Sequence, residues 1–355
     1  MTISGPSSGQ VGVWEEVTPP DVDPALINNG AFGLGSIVVD PVHRTDMYVG
    51  GYGYLFKSTD YGMSWKVVPS QPNPGSQALG HVVAVVGTTP ATVWVSNGFG
   101  DQHIYKSTDG GLTFRLTGTV PGHSGLAGFY SIVVDPYNSN HLLSGLHETD
   151  GLVESIDGGE TWQLLGGSHW PSGGKSWFVF FVDTGNAATT SETWFAIAQD
   201  GGSAVMTRNG GGTWEIPGDI EGLQHPHGNS SLLQIDNTLF VTGINGVNGS
   251  GTYRSTDLGL NWKKVSNAGG GVVFGSSKNV YSMWGWACGG CGLNEGGPQL
   301  NSALMPGDIW KSWIAAELPA RLVWGPNSVA TTSDGTHTIY VGSMWATGLW
   351  RYVEP

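Results

Sequence analysis

The stretch Lys57-Ser-Thr-Asp-Tyr-Gly-Met-Ser-Trp65 is the first of five copies of one pattern, and its recurrence decides the fold. The others read KSTDGGLTF at Lys106–Phe114, ESIDGGETW at Glu154–Trp162, MTRNGGGTW at Met206–Trp214 and RSTDLGLNW at Arg254–Trp262. Measured at Asp60, Asp109, Asp157, Asn209 and Asp257, the steps are 49, 48, 52 and 48 residues. A period near 50 built from short strands is the signature of a β-propeller blade. Within each copy the carboxylate and hydroxyl are suited to brace a tight turn. The glycine supplies positive φ, and the closing aromatic is suited to packing between blades.

The register continues past the fifth copy. One more period reaches Met305-Pro-Gly-Asp-Ile-Trp310, a degenerate copy keeping its Gly and Trp, and the next reaches Gly348-Leu-Trp-Arg-Tyr352, which reads as the strand before a turn. Gly12-Val-Trp-Glu-Glu-Val17 resembles the strand after one. The expectation is an all-β chain, residues 1–355 forming a single seven-bladed β-propeller of about 51 residues per blade, its ring closed by pairing of the N- and C-terminal strands. Closure removes free sheet edges. Ser36-Ile-Val-Val-Asp-Pro41 and Ser131-Ile-Val-Val-Asp-Pro136 are identical and 95 residues apart, which marks innermost strands two blades apart. Val82–Val86, Trp177–Phe181, Leu232–Gln234 and Val272–Phe274 take the same place elsewhere. No amphipathic helix of useful length is expected.

These segments resemble the Asp-box, or BNR, repeat of sialidases, xyloglucan-active propeller hydrolases, sortilin-type receptors and secreted propeller lyases. The resemblance implies that the motif is a structural hairpin between the third and fourth strands, on the face opposite the active site. Asp60, Asp109, Asp157 and Asp257 are then scaffold, and the chemistry belongs to the other face. Glycine-rich Asn29-Gly-Ala-Phe-Gly-Leu-Gly-Ser36 resembles the start of the first blade in the xyloglucan-active hydrolases, which normally carry two propellers with a cleft between them. A sialidase is disfavoured, because only six arginines exist and no FRIP-like motif is present.

Composition excludes several classes. A formal net charge of −14 leaves too few cations for phosphate neutralisation, arguing against nucleic acid and anionic membrane surfaces. No apolar run approaches a membrane span. The first residues lack the basic start and apolar core of a signal peptide, and sequons at Asn229 and Asn248 lean toward secretion. Cys288-Gly-Gly-Cys291 reads as a local disulfide stapling a loop in an oxidising compartment, with redox and half-zinc-site readings left open. A secreted monomer is expected.

Propeller topology sorts polar residues between faces. The loops into first strands and between second and third strands open on one face, here called upper; the repeat turns open on the lower. His81, His123, His169, His225 and His227 precede first strands, while His103 and His147 follow second strands, so seven of ten histidines sort to the upper face. His43, His141 and His337 fall in lower turns. Tyr52, Asp101, Glu148, Asp150, Asp200 and Asn245 follow second strands. Asn28, Asn29, Lys175 and Arg321 lie in or near loops leading into first strands. Trp170, Trp284, Trp286 and Trp345 are upper aromatics, either sugar platforms or loop packing. The long loop Gly285–Asn301 carries Glu295 and the cysteines and reads as a wall or lid.

Two chemistries compete. Hydrolysis of a glycosidic bond needs two carboxylates, from Asp101, Glu148, Asp150 and Asp200. β-Elimination beside a uronic acid needs a base, an acid and donors that neutralise the carboxylate. His147, His81, His123 and His227, with Glu148, are the candidate catalysts; Lys175 and Arg321 would neutralise charge, and Tyr52, Trp170, Trp284, Trp286, His225 and Asp200 would bind substrate. Histidine titrates near neutrality, which suits it to either proton role. The pair His225 and His227 could instead hold a divalent metal with a third histidine. The sequence favours a polysaccharide lyase, with a glycoside hydrolase as the alternative and a non-catalytic glycan binder as the second alternative.

Overall fold

The computed structural model describes residues 9–19, 34–51, 54–69, 82–96, 102–119, 128–165, 170, 173–225, 231–267, 271–284, 299–313, 317–318, 328–331, 338–342 and 348–355. Seven antiparallel sheets follow one another round a ring. Blade 1 runs Leu34–Val39, Met47–Gly51, Tyr54–Ser58 and Lys66–Val67 from inside outward. Blade 2 runs Val82–Val86, Thr92–Ser96, His103–Ser107 and Arg115–Thr119. Blade 3 runs Phe129–Asp135, Asn138–Leu146, Leu152–Ser155 and Gln163–Leu165. Blades 5 and 6 keep the four-stranded pattern from Leu232–Ile235 to Lys263–Ser266 and from Val272–Gly275 to Trp310–Ser312.

The ring closes as the repeat requires. Trp14–Glu16 becomes the outer strand of blade 7, pairing antiparallel with Leu349–Val353 in the register Trp14 to Tyr352 and Glu16 to Trp350. Arg351, 1% exposed, donates from Nε and Nη2 to Glu15 Oε2 at 3.1 and 2.8 Å and from Nη1 to the Tyr61 carbonyl at 3.1 Å. One side chain therefore joins the closing strand, blade 7 and the turn of blade 1.

Blade 4 departs from the pattern. Its sheet has three strands, Lys175–Phe181, Trp194–Asp200 and Ala204–Thr207, and the outer position keeps only the Met206–Glu215 bridge. Pro217 stops strand pairing there, because it lacks a backbone donor. A turn of 3-10 helix at Gly218–Ile220 follows, burying Ile220 and Leu223 beside the sheet. Among the described residues α-helix is confined to Ala187–Glu192, capped by the Asn186 side chain. No helix among them is long and apolar enough to cross a membrane.

The repeat turns share one hydrogen-bond set. In blade 1, Ser58 Oγ and the Ser64 N–H both donate to Asp60 Oδ1 at 2.8 Å, and the Ser64 hydroxyl donates to Oδ2 at 2.6 Å. Asp109, Asp157 and Asp257 repeat it. A carboxylate accepting several donors is stabilised as the anion. The Thr113 hydroxyl, Thr113 N–H and Ser107 together hold Asp109 at about 2. For Asp60, Asp157 and Asp257 burial opposes ionisation, yet the same bonds leave each below the ordinary carboxylate value.

The closing aromatic of these turns packs back on the preceding blade. Trp162 joins Trp94, Phe129 and Leu142 between blades 2 and 3, and Trp262 joins Phe178, Phe195 and Met206 between blades 4 and 5. Their indoles donate to Gly159 and Gly259 carbonyls at 3.2 and 3.1 Å, and Trp310 does the same to Gly307. The degenerate sixth copy therefore keeps the turn without its acid. The expected positions of the aspartates are met: they lie in turns between third and outer strands, on the lower face.

Candidate functional site at the upper mouth

The inner strand of blade 3 begins Phe129-Tyr130-Ser131, and Tyr130 is the residue about which the upper mouth is organised. Its ring stacks on Phe178 of blade 4 at 4.7 Å and lies 5.0 Å from His147 and 6.2 Å from His225. Its hydroxyl donates to Gln199 Oε1 at 2.9 Å. Gln199 Nε2 in turn approaches Asp200 Oδ2 at 3.4 Å. His147 and His225 are thus brought to one place from blade 3 and from the loop leading into blade 5. Both are buried, at 2% and 0% exposure.

Ser176 ties these groups together. It sits in the left-handed region at φ 52° with its side chain buried. Its hydroxyl accepts the Glu148 N–H at 3.0 Å, and its carbonyl accepts from His225 Nε2 at 2.9 Å. Glu148 is also left-handed, at φ 50°. Non-glycine residues in that region carry strain of about 1 kcal/mol or more, and such strain concentrates at functional sites. Blades 3 and 4 approach closely enough for this because Gly145 has no side chain: a Cβ there would meet the Trp177 carbonyl oxygen at 1.5 Å.

Glu148 and Asp200 are exposed, and Asp200 stands opposite Lys175 across the first two strands of blade 4. Asp150 has a different role. Its Oδ1 accepts from the indoles of Trp170 and Trp177 at 2.6 and 3.1 Å, and its Oδ2 from the Gly173 N–H at 3.2 Å. Trp170, a candidate for either a sugar platform or loop packing, is 8% exposed and packs edge-on against Trp177 and Trp214 at 4.5 and 4.8 Å. Its ring belongs to the core between blades 3 and 4, with Leu143, Leu152, Trp177 and Trp194. Asn245 is at the upper end of blade 5, donating to Gln224 Oε1 at 3.2 Å.

His141 corrects the sorting of histidines. It was expected in a lower turn but lies in the second strand of blade 3, 5% exposed. Nδ1 meets Asp135 Oδ2 at 3.2 Å and Ser191 Oγ at 3.0 Å, and Nε2 meets Glu154 Oε1 at 3.0 Å. Burial disfavours the charged ring, but the bonds to Glu154 and Asp135 outweigh it and hold its pKa above the ordinary value. His103 is the first residue of a third strand. His81, His123, His227, Tyr52, Trp286, Arg321, Asp101, both cysteines and the side chain of Trp284 lie outside the described residues. Among the described residues no group of three or more His, Cys, Asp or Glu is arranged to hold a metal.

Tyr130, Gln199 and Ser176 were missed in the sequence because the contacts that give them a role join blades 3, 4 and 5 across long separations. One signal was present: the identical hexapeptides Ser36–Pro41 and Ser131–Pro136 are preceded by Gly35 in one blade and Tyr130 in the other. A bulky aromatic where the repeat has glycine marks a place where the blade does something else.

No family model matches the chain. Its relatives of known activity are xyloglucanases, carbohydrate-active enzymes. One from Paenibacillus sp. is 29% identical over 191 residues, covering 47% of this chain and 17% of its own length. Another, from Hypocrea jecorina, is 24% identical over 301 residues, 79% of this chain and 32% of its own length. The chain therefore spans a third or less of these relatives. Among solved structures, the GH74 xyloglucanase of Xanthomonas campestris superposes with a TM-score of 0.68 at 17% identity, over 96% of this chain and 53% of that one. YCF48 from Cyanidioschyzon merolae superposes with a TM-score of 0.62 at 15% identity, over 96% and 98%. The fold is that of these seven-bladed propellers.

Proposed function

We propose that this propeller acts on a neutral glycan at its upper mouth, as a glycoside hydrolase rather than a lyase. The distribution of charge carries the reading. β-Elimination beside a uronate requires cations or strong donors around the substrate carboxylate. Yet Lys57, Lys106, Arg208, Arg254 and Arg351 are all committed to carbonyls of the lower turns. Among the described residues the mouth keeps Lys175 as its cation, against Glu148, Asp150 and Asp200. That balance suits an uncharged substrate, and the xyloglucanase relatives support the same choice.

Of the acids, Glu148 and Asp200 are the pair available for proton transfer and attack, since Asp150 is spent on two indoles. Tyr130, His147 and His225 form the polar and aromatic floor beside them. We read the repeat turns as Asp-boxes acting as scaffold, the chain as one propeller domain, and the setting as extracellular. Reducing-sugar release from xyloglucan by the wild-type protein, reduced at least 100-fold in both Glu148→Gln and Asp200→Asn, is the expected outcome (a magnitude of the order general acid–base catalysis contributes, about 10²–10⁴). Release of unsaturated products absorbing as conjugated alkenes from a uronate glycan would overturn it. So would a wild-type protein that binds xyloglucan without cleaving it, which would leave a glycan-binding module.

A further inference from the structure

On the lower face, a groove of about 370 Å³ runs between blades 1 and 2. One wall is the outer part of blade 1, Lys66 to Pro69 with Thr59 and Ser64; the other is the repeat turn of blade 2, Gly110, Gly111 and Leu112. Lys57 lines it as well. The same place one blade on is bridged by an ion pair. There Arg115, the counterpart of Lys66, grips Glu160, the counterpart of Leu112, with Nη1 to Oε2 at 2.8 Å and Nη2 to Oε1. Lys106, the counterpart of Lys57, stands 3.6 Å from the same carboxylate. Between blades 5 and 6 an acid again fills the position, Asp308, held by Arg254 at 2.8 Å.

Between blades 1 and 2 the position carries no acid, as is also the case at Gly212 and Leu260 of blades 4 and 5. Leu112 takes the acid's place and is 67% exposed, while the Lys66 side chain makes no hydrogen bond or ion pair among the described residues. Lys57 keeps its bond to the Gly110 carbonyl at 3.2 Å and a looser pairing with Asp46 at 3.7 Å. The groove thus presents two ammonium groups above an apolar floor of Val67, Val68, Pro69 and Leu112, in a chain whose net charge is −14. A partner carboxylate would complete the pattern the protein completes for itself at the next boundary.

We propose that this groove is a docking site for an acidic peptide segment of a partner protein, in which a glutamate flanked by aliphatic residues places its carboxylate against Lys57 and Lys66, as Glu160 does against Lys106 and Arg115. The volume admits a few residues, and the aliphatic neighbours would cover Leu112 and Val67. Charge-assisted hydrogen bonds supply the selectivity. The site is separate from the upper mouth and independent of what that mouth cleaves.

The test is fluorescence anisotropy with the full chain and a labelled acetyl-Val-Leu-Glu-Val-Gly-amide peptide, beside its glutamine counterpart. The glutamate peptide is expected to bind at least about tenfold tighter, the usual worth of a hydrogen bond to a charged group. Leu112→Glu supplies the missing acid from within, so it should weaken peptide binding about tenfold or more without lowering the melting temperature. Lys66→Glu should do the same by repulsion, and Leu260→Glu, on the equivalent turn of blade 5, should change nothing. Equal binding of the two peptides, or undiminished binding to Leu112→Glu, overturns the proposal. Octanoate binding in place of the peptide would also overturn it, by assigning the groove to small apolar acids.

Discussion

Two blade boundaries are built differently from the same repeat. Between blades 2 and 3, Lys106 Nζ donates at 2.9 Å to the carbonyl of Gly158, the residue after the turn aspartate. Lys57, Arg208, Arg254 and Arg351 make the matching reach to Gly110, Leu258, Pro306 and Tyr61. Between blades 3 and 4 the position of Lys106 is held by Glu154, which turns back to His141, while His141 reaches Ser191 of blade 4. The first kind of joint uses permanent cations. The second uses an ionisable ring whose pKa the bonds to Glu154 and Asp135 hold above the ordinary value, and it lies below the part of the mouth where Tyr130, His147 and His225 meet. The repeat thus supplies a uniform lock, and it is relaxed where the upper face is specialised.

The largest expected effect comes from breaking a permanent joint. Arg351→Ala removes a buried guanidinium from Glu15 and Tyr61 at the seam of the ring, and should cost about 3 kcal/mol, the lower end for breaking a buried ion pair. Urea unfolding is the measurement. A loss under about 1 kcal/mol would mean that backbone pairing alone closes the ring.

Asp109→Ala comes next. Four turn donors lose their acceptor, for a cost of about 2 kcal/mol at pH 7. Because the folded Asp109 carboxyl is held down at about 2, its contribution is present above the unfolded carboxylate value and is lost as pH falls through about 2. Wild type and Asp109→Asn should therefore converge in stability toward pH 2 and separate above pH 4. Parallel stability curves across that range would contradict the hydrogen-bond account of the turn.

The titratable joint has the opposite sign. The His141 pKa is raised in the fold, so its contribution is full below the unfolded value of about 6.5 and is lost as pH rises through the folded value. Wild type should lose stability relative to His141→Gln on passing from pH 6 to well above the folded value, read from the urea midpoint. A flat difference between the two proteins would show that the ring bonds in its neutral form.

The sequence made the lower face easy to read and the upper face hard, for a physical reason. Turn chemistry is local: a hydroxyl, an acid and a glycine at fixed spacing fold the same way in Lys57–Trp65 and Arg254–Trp262, so blade count and closure could be read directly. The mouth is assembled from residues with large separations, as when Tyr130 meets Gln199 and His225. Nothing in their spacing announces the contact. His141 was misplaced because the turn before it is two residues, Pro136 and Tyr137, so the second strand of blade 3 begins early. Trp170 could be read either way, because its burial depends on Asp150 and Leu143 of blade 3, which spacing does not place beside it.

Blade 4 also carries the smallest test. Asn209 replaces the turn acid, with Oδ1 accepting from Thr207 Oγ1 at 3.0 Å and from the Thr213 N–H at 2.9 Å. Its Nδ2 donates to the Thr213 hydroxyl at 3.0 Å, whereas at Asp109 the Thr113 hydroxyl donates to the acid. A hydroxyl can serve in either direction, so Asn209→Asp should keep every bond by rotating one proton. Its gain from charge-assisted acceptance is then a few tenths to about 1 kcal/mol, read from the urea midpoint. Arg208, which pairs with Glu215 at 3.4 Å, adds a nearby cation. If the aspartate destabilises the protein instead, the asparagine was required by the three-stranded blade, and the relaxed joint between blades 3 and 4 extends into its turn.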